Sequence, residues 1–152
     1  MNYWLFKTEP SECSIDDFAR APTTPIVWEG VRNYQARNFL RDGVLVGDQV
    51  LIYHSSCKDI GVAGIAEVVR AAYADPSQFD PRSPYYDAKS SPQQPRWVAV
   101  DLRFVHKLSR LITLDKIKSS AKMAELAVVQ KGNRLSVMPV TLQQWRDLLA
   151  LQ

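Results

Sequence analysis

The groups best suited to covalent chemistry stand together in His54-Ser55-Ser56-Cys57, which places an imidazole, two hydroxyls and a thiol within four residues. These are the residue types from which nucleophile–base pairs are built. Neighbours on an extended strand, however, project to opposite faces, and no Gly-x-Ser-x-Gly elbow accompanies them. The stretch reads equally as a strand ending in a polar loop. His54 and Cys57 could also offer two zinc ligands, but His106 and Cys13 stand alone and no second pair lies at zinc-like spacing, so no metal site is expected. The six glycines are scattered and form neither a Walker nor a dinucleotide fingerprint, so no cofactor is expected. Asp16-Asp17 could be paired carboxylates for acid–base work, but the positive end of a helix accounts for them more simply.

A different chemistry is concentrated in Trp28-Glu29-Gly30-Val31-Arg32-Asn33-Tyr34-Gln35-Ala36-Arg37-Asn38. Eleven residues hold two aromatics, two arginines, two asparagines and a glutamine. Aromatic faces can stack on an unstacked base and amides can read its Watson–Crick edge. Arginines can hold flanking phosphates, and a helix opening near Asn33 can receive an anion. The competing reading makes Trp28 and Tyr34 core residues and the arginines a solvated face. Three further clusters carry polar and aromatic groups: Tyr3, Trp4, Lys7, Thr8, Glu9 and Pro10; Tyr53-His54-Ser55-Ser56; and Arg134-Leu135-Ser136-Val137. Nothing in their spacing brings them together. Phe79, Tyr85, Tyr86 and Trp97 are expected to pack beneath a long loop.

Elements must position these groups. The pattern predicts a first strand over 2–7, a helix capped by Ser14, a short strand over 26–28, and a helix from Asn33 to about Arg41 ended by Gly43. Strands follow over 49–54 and 61–70, the second bent at Gly64. A loop punctuated by Pro76, Pro81, Pro84, Pro92 and Pro95 leads to a strand over 96–106. There Val98, Val100, Leu102 and Phe104 face one way, with Trp97, Asp101 and Arg103 on the other. Residues 113–119 and 121–126 look helical. Thr141-Leu142-Gln143-Gln144 is a capping box for a last helix with an apolar face of Leu142, Trp145, Leu148 and Leu149. Strands with scattered short helices, and no regular βαβ alternation, imply an α+β fold: a closed or nearly closed small barrel with helices outside.

Composition bounds the rest. A length of 152 residues fits one domain over 1–152. It needs no metal or disulfide staples to bury a core. Apolar residues at 46% and charged residues at 23% are ordinary for a soluble domain. No run approaches the roughly 18 apolar residues of a membrane span. Met1 to Lys7 lacks the form of a signal peptide, and two cysteines make no disulfide framework, so a cytoplasmic location is expected, or a nuclear one in a eukaryote. A net charge of +3 permits nucleic-acid binding without demanding it.

Several blocks resemble the EVE domain family. Tyr3-Trp4-Leu5-Phe6-Lys7-Thr8-Glu9-Pro10 is similar to its opening, and Trp28 to Asn38 is similar to its W-x-G-V-R-N-Y-Q-A-R-N segment. Tyr53-His54-Ser55, Gln78-Phe79-Asp80, Ser83-Pro84-Tyr85-Tyr86-Asp87, Pro95-Arg96-Trp97, Arg134-Leu135-Ser136-Val137 and Pro139-Val140-Thr141 match in the same order. The resemblance spans essentially the whole chain and is closest to the short bacterial form without a basic N-terminal tail. It implies a PUA-like mixed β-barrel surrounded by short helices, similar to PUA, ASCH and YTH domains. It implies a non-catalytic reader of a modified base, modified cytosine favoured, in DNA or RNA, with no cofactor, metal or membrane partner.

The ligand site is then expected between the first strand's end, the Trp28–Arg37 segment and the Tyr53–Ser55 strand end. Trp28 and Tyr53 would wall it, and Asn33 and Gln35 would read the base edge beside His54 and Ser55. Lys7, Arg32 and Arg37 would hold phosphate or support the pocket. Glu9 would accept from an exocyclic amine or pair with an arginine. One departure is Cys13, where the family usually shows a tyrosine before the cap, which bears on ligand choice. Two other readings of the residues stay open: an enzyme acting on RNA or nucleotides through His54 and Cys57, and a module whose aromatic surfaces bind another protein.

Overall fold

The computed structural model describes residues 1–152. Six strands form one mixed sheet: β1 (Tyr3–Thr8), β2 (Ile26–Trp28), β3 (Gln49–His54), β4 (Gly61–Ala74), β5 (Val98–Thr113) and β6 (Val137–Val140). Their order is β2-β5-β4-β3-β1-β6. Only β1 and β3 run parallel, with Leu5 opposite Leu51; every other pairing is antiparallel. Between the strands lie α1 (Ile15–Arg20), α2 (Tyr34–Asp42), α3 (Leu114–Lys118) and α4 (Leu142–Leu149), with single 3-10 turns at Pro76–Phe79, Ala121–Met123 and Ala127–Val129. No helix is long and apolar enough to cross a membrane.

The α+β class is as expected, but the sheet is not closed. The three-residue β2 pairs only with β5, and β6 pairs only with β1, so both remain edges. The β6 edge carries an exposed Pro139, which has no N–H to offer an incoming strand. The sheet curls instead of closing. Long β4 and β5 slip register four times along their shared ladder, and such bulges deepen twist. One slip lies at Gly64, where an added Cβ would sit 2.4 Å from the Ile15 side chain, so the bend lets α1 pack directly on the sheet.

Both faces of the sheet are buried, which explains the nearly continuous apolar runs of β1 and β3. Trp4 and Phe6 of β1 and Val50 and Ile52 of β3 point into a first core, shared with Ile15 and Phe18 of α1, Ala36 and Leu40 of α2, and Trp28. Leu5, Leu51 and Tyr53 point into a second, covered by Ile117, Met123, Leu126, Trp145 and Leu148. The alternation expected for 96–106 holds: Val100 and Leu102 are buried in the first core, and Val98 and Phe104 pack against it half-buried. Beyond the bulges β5 crosses over, and Leu108 and Ile112 enter the second core. Trp97 is buried just before the strand.

The capping chemistry read from sequence is present. Ser14 and Asp17 form a reciprocal box on α1, Asn33 accepts from the Ala36 amide, and Thr141 and Gln144 box α4. Two details differ. Gly43 ends α2 in an ordinary right-handed conformation, and Leu142 at the start of α4 is exposed.

Candidate functional site

The end of β1 and the start of β2–α2 are far apart in sequence, yet both open onto one cleft of about 750 Å³. Lys7, Thr8 and Glu9 line one side. Trp28, Glu29, Gly30 and Val31 form the opposite side. The loop at Ser83–Tyr85, together with Glu12, Cys13, Asp17, Ser55 and Ser136, completes it. Parallel pairing of β1 with β3 aligns Thr8 with His54, and the Ser55 amide continues the ladder by donating to the Thr8 carbonyl at 2.9 Å. That pairing is why two strand ends meet at the cleft.

Trp28 is only 6% exposed. It packs against Phe6 and Phe18, with centroids 5.6 and 6.4 Å away, and so serves as a floor rooted in the core. Gly30 turns the chain with φ +87° beneath the Tyr85 ring; an added Cβ would lie 2.7 Å from that ring. The Tyr85 hydroxyl donates to the Glu12 carboxylate at 2.7 and 2.8 Å, tying the long loop to the α1 approach across the cleft. Burial, reinforced by Glu12, pushes that hydroxyl up to about 12.

The charge of the cleft is uneven. Lys7 is its one cation, and Glu9, Glu12, Asp17 and Glu29 are its anions. Lys7 forms no ion pair. Its Nζ lies 5.9 Å from the Tyr53 ring centroid, and burial holds the ammonium below its ordinary value. Burial, followed by repulsion from Asp75 and against the pull of Arg32, raises the Glu29 carboxyl. An anionic ligand group meets little attraction inside such a cleft, whereas a ligand that donates hydrogen bonds meets several acceptors.

Of the residues singled out from sequence, Lys7, Glu9, Trp28 and Ser55 line the cleft. Arg32 stands behind it. Its Nη1 donates to Asp75 at 2.9 Å and its Nη2 to the Tyr85 carbonyl at 2.7 Å. Asp75 is fully buried and also accepts from the Gly30 amide at 2.8 Å and the Ser77 amide at 2.7 Å. Burial alone would raise that carboxyl; the bonds from Arg32, Ser77 and Gly30 outweigh it and hold it below the usual range. Arg32 and Asp75 therefore fix the Gly30 turn and the Tyr85 loop. Asn33 is occupied by its cap, and Gln35 is exposed on α2. Arg37 lies over Tyr34 and donates to the Arg96 carbonyl. Tyr53 is 3% exposed and belongs to the second core.

His54 and Cys57 are engaged separately. His54 Nε2 accepts the Ile15 amide at 3.2 Å, supplying a partner to an otherwise orphan N–H at the start of α1. An accepting Nε2 requires the neutral ring. Burial lowers the imidazole, Asp16 opposes that shift and Lys107 adds to it. The Cys57 thiol donates to the Asp59 carbonyl. No cluster of three or more His, Cys, Asp or Glu side chains is placed to hold a metal.

Sequence reasoning missed Glu29, Tyr85, Glu12, Asp17 and Ser136 as lining groups. Tyr85 carried a signal in its Ser-Pro-Tyr-Tyr-Asp block, but its position over Gly30 depends on Arg32, 53 residues away in sequence, and on Asp75, which holds that arginine.

An open α+β sheet with a cleft at the joined ends of β1 and β3 is the arrangement of a PUA-like domain. The EVE domain model matches residues 2–151, and the chain belongs to that family. Among relatives, thymocyte nuclear protein 1 of Gallus gallus is 39% identical, covering 99% of this chain and 68% of that protein. A crystal structure of a protein from Pseudomonas putida superposes with a TM-score of 0.94 at 52% identity, over 98% of each chain. The human THYN1 protein, crystallised in complex with DNA containing 5-methylcytosine, superposes with a TM-score of 0.92 at 36% identity, over 99% of this chain and 97% of that one.

Proposed function

We propose that this protein is a reader of nucleic acid: it takes a modified base, a modified cytosine by preference, out of a DNA or RNA strand and into the cleft, and binds it without chemical change. The observation that carries the proposal is the cleft itself. It has an aromatic floor, a polar wall held by Arg32 and Asp75, and hydrogen-bond acceptors facing a volume of about 750 Å³. The human relative's complex with 5-methylcytosine DNA supports this choice of base. Cytosine presents an exocyclic amine on its Watson–Crick edge, and Glu29 and Glu9 are suited to accept from it, with Ser55 and Ser136 beside them. Trp28 and Tyr85 supply aromatic surface. Lys7 serves the base's carbonyl. Asn33, Arg32, Tyr53 and His54 act as supports, while Gln35 and Arg37 face the flanking strand.

The same reading makes residues 1–152 a single domain and a binding module. With both cysteines free thiols, it belongs in a reducing compartment such as the cytoplasm.

The test is binding to plain and modified oligonucleotides, DNA and RNA, at one fixed salt concentration, because electrostatic affinity moves with salt. We expect one modified base to be preferred. Trp28→Phe, which keeps most of the core volume, should weaken that complex by about 1 kcal/mol, at the low end of a lost stacking contribution. Equal weak binding to every oligonucleotide would overturn the reading. Turnover of any modified nucleoside, seen by mass spectrometry, would overturn its non-catalytic part.

A further inference from the structure

A chain of stacked groups leads away from the cleft, and its outer end has no partner. Tyr85 lines the cleft. The Arg32 guanidinium lies 5.5 Å from the Tyr85 ring centroid and 5.2 Å from that of Trp97. The Trp97 ring stacks on Tyr34 with centroids 4.8 Å apart and planes 28° off parallel. The Arg37 guanidinium lies 4.8 Å from the Tyr34 centroid. The inner members are pinned: Tyr85 by Glu12, Arg32 by Asp75, and Trp97 by a bond from its Nε1 to Asp87 at 2.8 Å. The outer two are not. Tyr34 is 53% exposed and its hydroxyl forms no hydrogen bond within the protein. Arg37 is oriented by neutral acceptors only, the Asn38 amide oxygen and the Arg96 carbonyl, and no carboxylate forms an ion pair with it.

We propose that Tyr34 and Arg37 form a second station, which stacks a nucleotide flanking the one held in the cleft and meets its phosphate. The inference rests on the reader function proposed above. A rigid aromatic surface beside an unpaired guanidinium is the combination that holds single-stranded nucleic acid without reading its sequence. The cleft, with four carboxylates against Lys7, offers little to a phosphate. The ladder offers it Arg37. The two stations divide the work: the cleft selects the base, and the ladder adds affinity for the strand and direction to its path. The strand is single at that point, since a flanking base within a duplex has its faces covered by its neighbours.

The experiment compares two probes, 5-methyl-2′-deoxycytidine 5′-monophosphate and a short single-stranded DNA carrying one internal 5-methylcytosine, against the full chain and three variants. Tyr34→Ala should lower affinity for the strand about tenfold and leave the mononucleotide unchanged. Arg37→Gln should lower strand affinity less, and reduce the slope of log affinity against log salt by about one contact's worth, roughly 0.7. Lys7→Met, in the cleft, should weaken both probes. Melting curves confirm folding, and Arg37→Gln carries the test should Tyr34→Ala misfold. If both ladder variants bind the strand as the wild type does while Lys7→Met loses it, the second station is refuted and the reader function stands. Equal losses for mononucleotide and strand in the ladder variants would also refute it, by making Tyr34 part of the cleft. If the wild type binds neither probe nor any other modified strand, both proposals fall.

Discussion

The two hydrophobic cores are built differently. The first is rich in aromatics, with Trp4, Phe6, Phe18 and Trp28, and it lies under the cleft: Trp28 and Val31 belong to both. The second, between the sheet and the C-terminal helices, is mainly aliphatic and methionine, and none of its buried members lines the cleft. On the proposed reading of the cleft, stability and recognition are coupled in one core and separate in the other. A bulky ring can act at once as a packed core residue and as a floor, because a small exposed fraction is enough for a ligand to touch. An aliphatic core offers no such second use.

The largest expected effects test this coupling directly. Trp28→Ala should destabilise the protein by about 3–5 kcal/mol and abolish ligand selection, because it opens a cavity under the cleft. Ile117→Ala, fully buried and in the second core, should cost about 2–4 kcal/mol in denaturant unfolding and leave ligand affinity of the folded protein unchanged. If Ile117→Ala alters affinity as much as stability, the cores are not separable. Next in size is Asp75→Asn. It weakens the hold on Arg32, the Gly30 amide and Ser77, and should cost about 2–3 kcal/mol, below the range for a fully buried pair because Arg32 keeps 22% of its side chain exposed. Affinity should fall with it as the Tyr85 loop loosens. Unchanged affinity would show that the Arg32–Asp75 pair serves folding alone.

These predictions also mark how far the sequence could be read. The caps at Ser14, Asn33 and Thr141 and the β3 boundaries are local properties, and they were legible because a side chain and an amide three residues on decide them. Trp28, Lys7, Glu9 and Ser55, expected together from the family resemblance, line one cleft. Closure of the barrel could not be judged, because it depends on the register slips between β4 and β5, which leave little trace beyond Gly64. Nor could spacing reveal that Arg32 is a strut and Arg37 a surface group: the two arginines look alike in sequence, and their difference lies in Asp75, which comes in from a distant loop. His54 is a similar case. Its proximity to Cys57 suggested chemistry, while its partner is an amide of α1.

Gly30→Ala comes next. A positive φ disfavours alanine, and the new methyl must displace the Tyr85 ring, so a loss of about 1–3 kcal/mol is expected, together with a weaker base complex. The smallest effect is a pH dependence that joins the two properties. The His54 imidazole is lowered in the folded protein, so the unfolded chain takes up its proton first. The stability from neutral His54 is therefore complete above the unfolded value, near pH 6.5, and declines as pH falls through the lower folded value. A protonated ring can no longer accept the Ile15 amide, so the same titration loosens the start of α1, which carries Asp17 into the cleft. Urea unfolding of the wild type should weaken between about pH 6.5 and pH 5, before ordinary carboxylates titrate. His54→Gln should lose that component and show a flatter curve. If the two proteins lose stability in parallel over this window, the His54–Ile15 bond is not the pH-sensitive link between core and cleft.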